Sequence, residues 1–460
     1  MAQATNSLHV GKALTPAGWK RDVRLVWKAG VFVNVEPGVA PRPDEPRAAL
    51  AVPGLANLHS HAFQRAFAGL AERRGAAQDN FWSWREQMYR YALALNPDEV
   101  AAIAARAYVE MLEAGFTRVG EFHYLHHAPD GRAYEDIGEI NVRIAEAAEA
   151  SGIGLTLLPV FYAHSGFGGA PPNEAQRRFV NDRASFVRLF QRCEQIVAGL
   201  DGANLGLAAH SLRAATPEEI DDLIELAQGR PIHIHVAEQT AEVEACAAAL
   251  GARPVEFLLE RFPVSHQWCC VHATHMTDEE TRRFAVSGAV AGLCPITEAN
   301  LGDGLFAARP FLDHDGAFGI GTDSNVRINL AEELRTLEYG QRLTRRERNV
   351  FASPGGSTAR ALFEGAARGG AQALGRPAAG FALGADADIV VFGDENWQPA
   401  ENDDDALGQW IFAAEAPINA VYARGRLVVE GGKHVSRYRI NARFRGALHD
   451  LRTRAPSKPA

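Results

Sequence analysis

Ala49-Leu50-Ala51-Val52-Pro53-Gly54-Leu55-Ala56-Asn57-Leu58-His59-Ser60-His61 is an apolar run that ends in two histidines one residue apart. Read as a strand, side chains at i and i+2 share a face, so His59 and His61 aim two imidazoles at one point. On a helix the same spacing would turn the rings about 200° apart, and the pairing would mean little. Two convergent imidazoles are half of a metal site, or merely two polar residues on a wetted strand. The choice depends on whether the rest of the chain brings further ligands to the same place.

Downstream of His61 a two-part rhythm sets in. Asn96-Pro97-Asp98-Glu99 opens an amphipathic helix that runs to Leu112 and closes at Gly115, and Phe116–Phe122 then reads as a strand. The alternation recurs as helix 134–150 with strand 154–160, helix 173–199 with strand 204–209, and helix 217–228 with strand 231–236. It continues as helix 240–261 with strand 268–271, helix 277–287 with strand 289–293, a loop leading to strand 316–321, and helices 331–346 and 357–374. Counting from the His59 strand gives eight strands alternating with helices, the period of a parallel (β/α)8 TIM-like barrel of the α/β class. Between the first two strands, residues 63–74 and 81–93 read as helix or loop, with Phe81, Trp82, Trp84 and Tyr89 crowded together as core or lid.

Upstream, Val23–Trp27 and Gly30–Val33 are short, β-branched runs that read as strands, separated from the His59 strand by a Pro-rich hinge, 37–46. Beyond Gly375, residues 387–392, 418–423 and 425–430 alternate as short strands with Gly turns. The expected organisation is a barrel over 54–375 and a small β-sandwich domain built from both chain ends, 1–53 and 376–460.

Composition excludes several classes. With 460 residues, 47% hydrophobic and 22% charged, the chain can bury a large core. A net charge of −9 with both signs interspersed recommends neither nucleic acid nor an anionic membrane as partner. The five cysteines are odd in number and lack C-x-x-C spacing, against both a disulfide framework and a thiolate zinc site. Met1 to Val10 lacks a basic segment followed by an apolar core, and no stretch approaches 18 apolar residues, so the cytoplasm is the expected compartment.

A barrel focuses the C-terminal ends of its strands on one pocket. Strand one ends in His59 and His61, strand two in His123 and Tyr124, strand four in His210, strand five in His235 followed by Glu238, strand six in His272 and strand eight in Asp323. His59, His61, His235 and Asp323 match a catalytic divalent site that keeps a position for water. A bound cation lowers the pKa of its water towards neutrality. Glu238, three residues beyond a ligand, can shuttle protons without binding metal, as the glutamate of zinc deaminases does. His272 can polarise the attacked carbon or orient the nucleophile, and Asp323 can take the last proton.

His59-x-His61, His235-x-x-Glu238, His272 and Thr322-Asp323-Ser324 together resemble the amidohydrolase superfamily, in its mononuclear deaminase branch. The likeness spans nearly the whole chain, including the segment 384–390, and strand four offers no lysine for a bridging carbamate. The stretches 59–69, 81–85, 120–126 and 210–213 further resemble the formimidoylglutamate deiminases of histidine degradation. That resemblance implies hydrolysis of N-formimino-L-glutamate to N-formyl-L-glutamate and ammonia, one divalent ion, Zn2+ before others, and a homodimer. It implies Arg85 and Arg213 as clamps on the two substrate carboxylates, with Gln64, Tyr124 and His210 as further contacts. Two alternatives stand beside it: an amidohydrolase deaminase of a nucleobase or related cyclic amine, and a metal-free, non-catalytic scaffold.

Overall fold

The computed structural model describes residues 5–74, 79–376, 380–393, 397 and 402–454; the outermost ends of the expected small β domain, 1–4 and 455–460, lie outside the described residues. Eight parallel barrel strands pair in chain order: Leu55–Ser60, Phe116–His123, Gly154–Phe161, Asn204–Leu205 continued by Leu207–Ser211, Ile232–Val236, Trp268–His272, Val290–Leu293 and Ala317–Ile320. The first and eighth strands meet through a single parallel bridge, Ser60 to Asp323. Around it, the Thr322 and Asp323 N–H groups both donate to the His59 carbonyl at 3.0 Å, and the His61 N–H donates to the Asp323 carbonyl at 2.9 Å. Side chains reinforce the seam: Asn57 Nδ2 donates to Thr322 Oγ1 at 2.7 Å, and Asn325 Nδ2 to Ser60 Oγ at 3.1 Å. The barrel is thus closed by the residues that carry the histidine pair.

The apolar run that opens the barrel is two strands. Arg47–Pro53 belongs to the small sheet, Leu55–Ser60 to the barrel, and Gly54 is the break. A Cβ on Gly54 would come within 2.3 Å of Thr117 Cγ2, so only glycine lets the chain cross the start of the second strand this closely.

The expected helix 240–261 is likewise two, Thr240–Leu250 and Pro254–Arg261. Gly251 takes φ +76° and Pro254 starts the second, a C-terminal and an N-terminal signal in immediate succession. Helix 173–199 shortens to Arg183–Ala198, preceded by one turn at Glu174–Gln176, because buried Arg178 bonds the His127 and Leu95 carbonyls and buried Gln176 bonds Tyr162.

The small sheet has eight strands in the order Lys433–His434, Arg426–Glu430, Ile418–Ala423, Ile389–Phe392, Arg47–Pro53, Asn6–Thr15, Gly18–Lys28, Val31–Glu36. It is one sheet that curls over: Phe32 N–H donates to the Ala385 carbonyl and Gly384 N–H to the Phe32 carbonyl, both at 2.9 Å. Leu8, Val10, Val23, Leu25, Phe32, Phe381 and Ile389 fill the space inside the curl. A C-terminal helix, Arg437–Arg454, lies against Pro97–Glu113 of the barrel. Only Ile440 and Leu451 of it are buried, too thin a stripe to announce a helix in the sequence. Among the described residues no helix is long and apolar enough to cross a membrane.

Candidate active site

His59, His61, His235 and Asp323 converge, all buried, with one donor atom of each within 4.8 Å of the others. His59 Nε2 lies 3.2 Å from His61 Nε2 and 3.1 Å from His235 Nε2, and Asp323 Oδ1 lies 3.1 Å from His61 Nε2 and 3.4 Å from His59 Nε2. Donors about 2.05 Å from a tetrahedral ion stand about 3.3 Å apart, so these separations are the edges of a metal polyhedron. The tautomers agree. His61 Nδ1–H donates to the Phe122 carbonyl and His235 Nδ1–H to the His210 carbonyl, each at 2.9 Å, which leaves both Nε2 lone pairs facing the cluster. Burial drives His59 down to about 3 and His235 well below the usual imidazole range, so both are neutral and ready to ligate. Asp323 is held well below the carboxylate range: burial opposes this, but the nearness of His59 and His61 to its Oδ1 outweighs it. Three imidazoles and one carboxylate, whose converging atoms have no partner among the described residues beyond one another, fit a divalent cation.

Beside the cluster, His272 Nε2 stands 3.7 Å from Glu238 Oε1 and 3.9 Å from Asp323 Oδ2, while its Nδ1 meets Glu298 Oε1 at 3.2 Å. Burial disfavours a charged imidazole here, yet the carboxylates of Glu238, Glu298 and Asp323 push His272 well above its ordinary range. Burial lifts Glu238 to about 7, against the pull of His272, which places it where a group can both take and give a proton near neutrality. His272 and Asp323 occupy left-handed backbone, φ +69° and +45°, strain concentrated at the strand ends that present these groups.

The pocket over the cluster is lined by His61, His235, Glu238, His272 and Asp323 on one side and by Gln64, Arg85, Tyr124, His210 and Arg213 with aromatic neighbours on the other. Every residue singled out from the sequence as metal ligand, catalytic group or substrate contact therefore reaches this one space, His59 from beneath. Gln64 Nε2 donates to Tyr124 Oη at 2.9 Å. Arg85 lies 4.4 Å over Trp82 and Arg213 5.9 Å from the same ring, and among the described residues neither guanidinium has a carboxylate partner. His123, also at a strand end, turns away; it is buried and donates to the Leu125 carbonyl at 2.8 Å.

Strand-end reasoning left strands three and seven blank, and both contribute. Tyr162 follows strand three into the pocket. Glu298, one turn past strand seven, accepts from Cys294 N–H at 2.9 Å and orients His272. Extending the strand-end list to these two strands would have found them. Phe81, Trp84 and Tyr89 of helix Phe81–Ala92 supply aromatic lining, with Met88 beside them, so three of the four crowded rings form a pocket wall.

Comparison with known proteins agrees with this geometry. Residues 50–428 match the amidohydrolase family, and residues 5–49 match the family described as formimidoylglutamate deiminase HutF, N-terminal domain. The formimidoylglutamate deiminase of Pseudomonas aeruginosa is 46% identical over 97% of this chain and 99% of its own. A crystal structure of an amidohydrolase from Brucella melitensis superposes with a TM-score of 0.95 at 54% identity, covering 97% of this chain and 99% of that one. A 5-methylthioadenosine/S-adenosylhomocysteine deaminase of Natronomonas pharaonis is 26% identical over 83% of this chain and 82% of its own. With a barrel that converges three histidines and an aspartate, and matches that run nearly end to end, the chain belongs to the amidohydrolase family and, within it, to the formimidoylglutamate deiminases.

Proposed function

We propose that this chain hydrolyses N-formimino-L-glutamate to N-formyl-L-glutamate and ammonia in histidine degradation. The observation that carries the substrate class is the pair Arg85 and Arg213: two guanidinium groups lining one pocket without a carboxylate partner among the described residues, where a dicarboxylate would supply two. Residues 54–375 make up the catalytic unit in this reading, supported by 1–53 with 376–460.

A divalent ion held by His59, His61, His235 and Asp323 would contribute Lewis acidity and a water acidified towards neutrality. Zinc is our assignment, because three imidazoles with one carboxylate and no thiolate suit a borderline cation. Glu238 takes a proton from the attacking water and delivers it to the imine nitrogen, a role its poise near 7 allows. His272, steadied by Glu298, donates from Nε2 to the oxygen of the tetrahedral centre, and Asp323 Oδ2, 3.9 Å from that nitrogen, takes the remaining hydroxyl proton, which passes to the amino nitrogen so that the C–N bond breaks with ammonia as the leaving group. Gln64, Tyr124 and His210 orient the substrate, and Arg85 and Arg213 clamp its carboxylates.

One observation favours a ring substrate: Phe81, Trp84, Tyr89 and Phe179 line the same pocket and would stack on a nucleobase. Two unpaired arginines argue the other way. A metal-free scaffold has nothing in its favour, since all four ligand positions are filled. The five cysteines are all buried and none is disulfide-bonded, which suits a reducing compartment and supports the cytoplasm. A homodimer rests on the prevalence of two-fold homo-oligomers and on the family resemblance. Ammonia release assayed on N-formimino-L-glutamate beside guanine, cytosine and adenosine tests the substrate. Release from the first alone is expected; release only from a ring amine would overturn the reading.

A further inference from the structure

The segment between strand three and helix Arg183–Ala198 holds a hydrogen-bond relay aimed into the pocket. Asn173 caps the turn Glu174–Gln176, and Asn173 N–H donates to Gln176 Oε1 at 2.8 Å. With its oxygen committed to that N–H, the Gln176 amide has one orientation, and its Nε2 donates to Tyr162 Oη at 2.6 Å. Tyr162 is therefore an acceptor on the glutamine side. Its own hydroxyl proton must be given elsewhere, and the ring, 4.7 Å from His210, lies in the pocket wall.

The surroundings of that proton are cationic. Arg85 and Arg213 both act on the Tyr162 hydroxyl electrostatically, and Tyr89 lies within hydrogen-bonding reach of it. Burial nevertheless keeps the phenol protonated, so it remains a donor. A neutral donor in the wall of a pocket that two guanidinium groups also line suits the second oxygen of a carboxylate that one arginine has already engaged.

Resting on the dicarboxylate reading above, we propose that Tyr162, held by Gln176, is a further specificity-determining residue that donates a hydrogen bond to one substrate carboxylate. The hydroxyl then discriminates by charge: a carboxylate accepts a charge-assisted bond stronger than the neutral one Tyr89 offers, and a substrate without a carboxylate gains nothing from it.

The test compares wild type, Y162F and Q176L on N-formimino-L-glutamate and on two analogues, one lacking the α-carboxylate and one lacking the side-chain carboxylate. Y162F should raise KM for the full substrate by roughly tenfold or more, as expected for a hydrogen bond to a charged group, with kcat within about threefold. On the analogue missing the carboxylate that Tyr162 contacts, Y162F and wild type should be alike. Q176L should shift KM in the same direction, and the double variant should be no worse than Y162F. Unchanged KM in Y162F, or an equal loss on all three compounds, would overturn the proposal while leaving the dicarboxylate reading intact. A wild type that releases no ammonia from the full substrate would overturn that reading, and this proposal with it.

Discussion

Two buried polar clusters lie at opposite ends of the barrel, and they differ in whether the protein answers its own charges. At the N-terminal ends of the strands, Asp386 accepts from Arg118 Nη2 at 3.1 Å, from Arg376 Nη2 at 2.7 Å and from Arg424. Arg118 also donates to the Leu155 carbonyl at 3.0 Å and the Gly202 carbonyl at 2.9 Å, and Asp388 accepts from Arg424 N–H at 2.7 Å and Thr117 Oγ1 at 3.0 Å. At the C-terminal ends, three imidazole nitrogens face one another, and two arginines that line the pocket have no carboxylate partner among the described residues. Both arrangements are polar, buried and costly to leave unpaired. The first is completed by the fold and joins the two sheets; in the reading proposed above, the second awaits an ion and an anionic substrate.

Substitutions that exchange these characters should separate the clusters cleanly. The largest effect belongs to His235→Ala, which removes one of four ligands: metal content by elemental analysis should fall well below one per chain, and turnover should vanish with it. Retained metal and activity would break the comparison at its strongest point. Arg213→Met should come next, raising KM for the dicarboxylate roughly ten- to a hundredfold, the worth of charge-assisted hydrogen bonds, with metal content unchanged. Asp386→Asn should have the smallest effect on catalysis and a clear one on the fold. Removing one member of a buried ion cluster costs about 3 kcal/mol or more, read as a lowered denaturation midpoint, while KM stays as in wild type. A KM shift in that variant would mean that the two ends communicate.

How much of this was legible beforehand follows from range. The barrel and its metal ligands rest on local regularities: period-2 strands, helix caps such as Thr216-Pro217-Glu218-Glu219, and the rule that strand ends converge. His59, His61, His235 and Asp323 could therefore be grouped although up to 264 positions separate them in numbering, 323 − 59. Features settled by tertiary contact were not visible. Gly54 breaks the apolar run because Thr117 crosses there; the segment at Gln176 and Arg178 abandons helix to serve distant loops; and Arg437–Arg454 forms a helix on two buried residues. In the sequence Asp386 stands out only as part of the 384–390 segment of the family likeness, and Asp388 as part of that segment and of the strand 387–392, since nothing local reveals three arginines converging on Asp386.

The central claim, that Glu238 moves the protons while the histidines and Asp323 hold the ion, is tested most directly by one variant measured two ways. Glu238→Gln keeps size and shape but cannot accept a proton. Elemental analysis of that variant should show the same metal content as wild type, and ammonia release from N-formimino-L-glutamate should fall by about 10²- to 10⁴-fold, the range for a positioned acid/base group. Wild-type turnover in Glu238→Gln, or loss of its metal, would contradict the account.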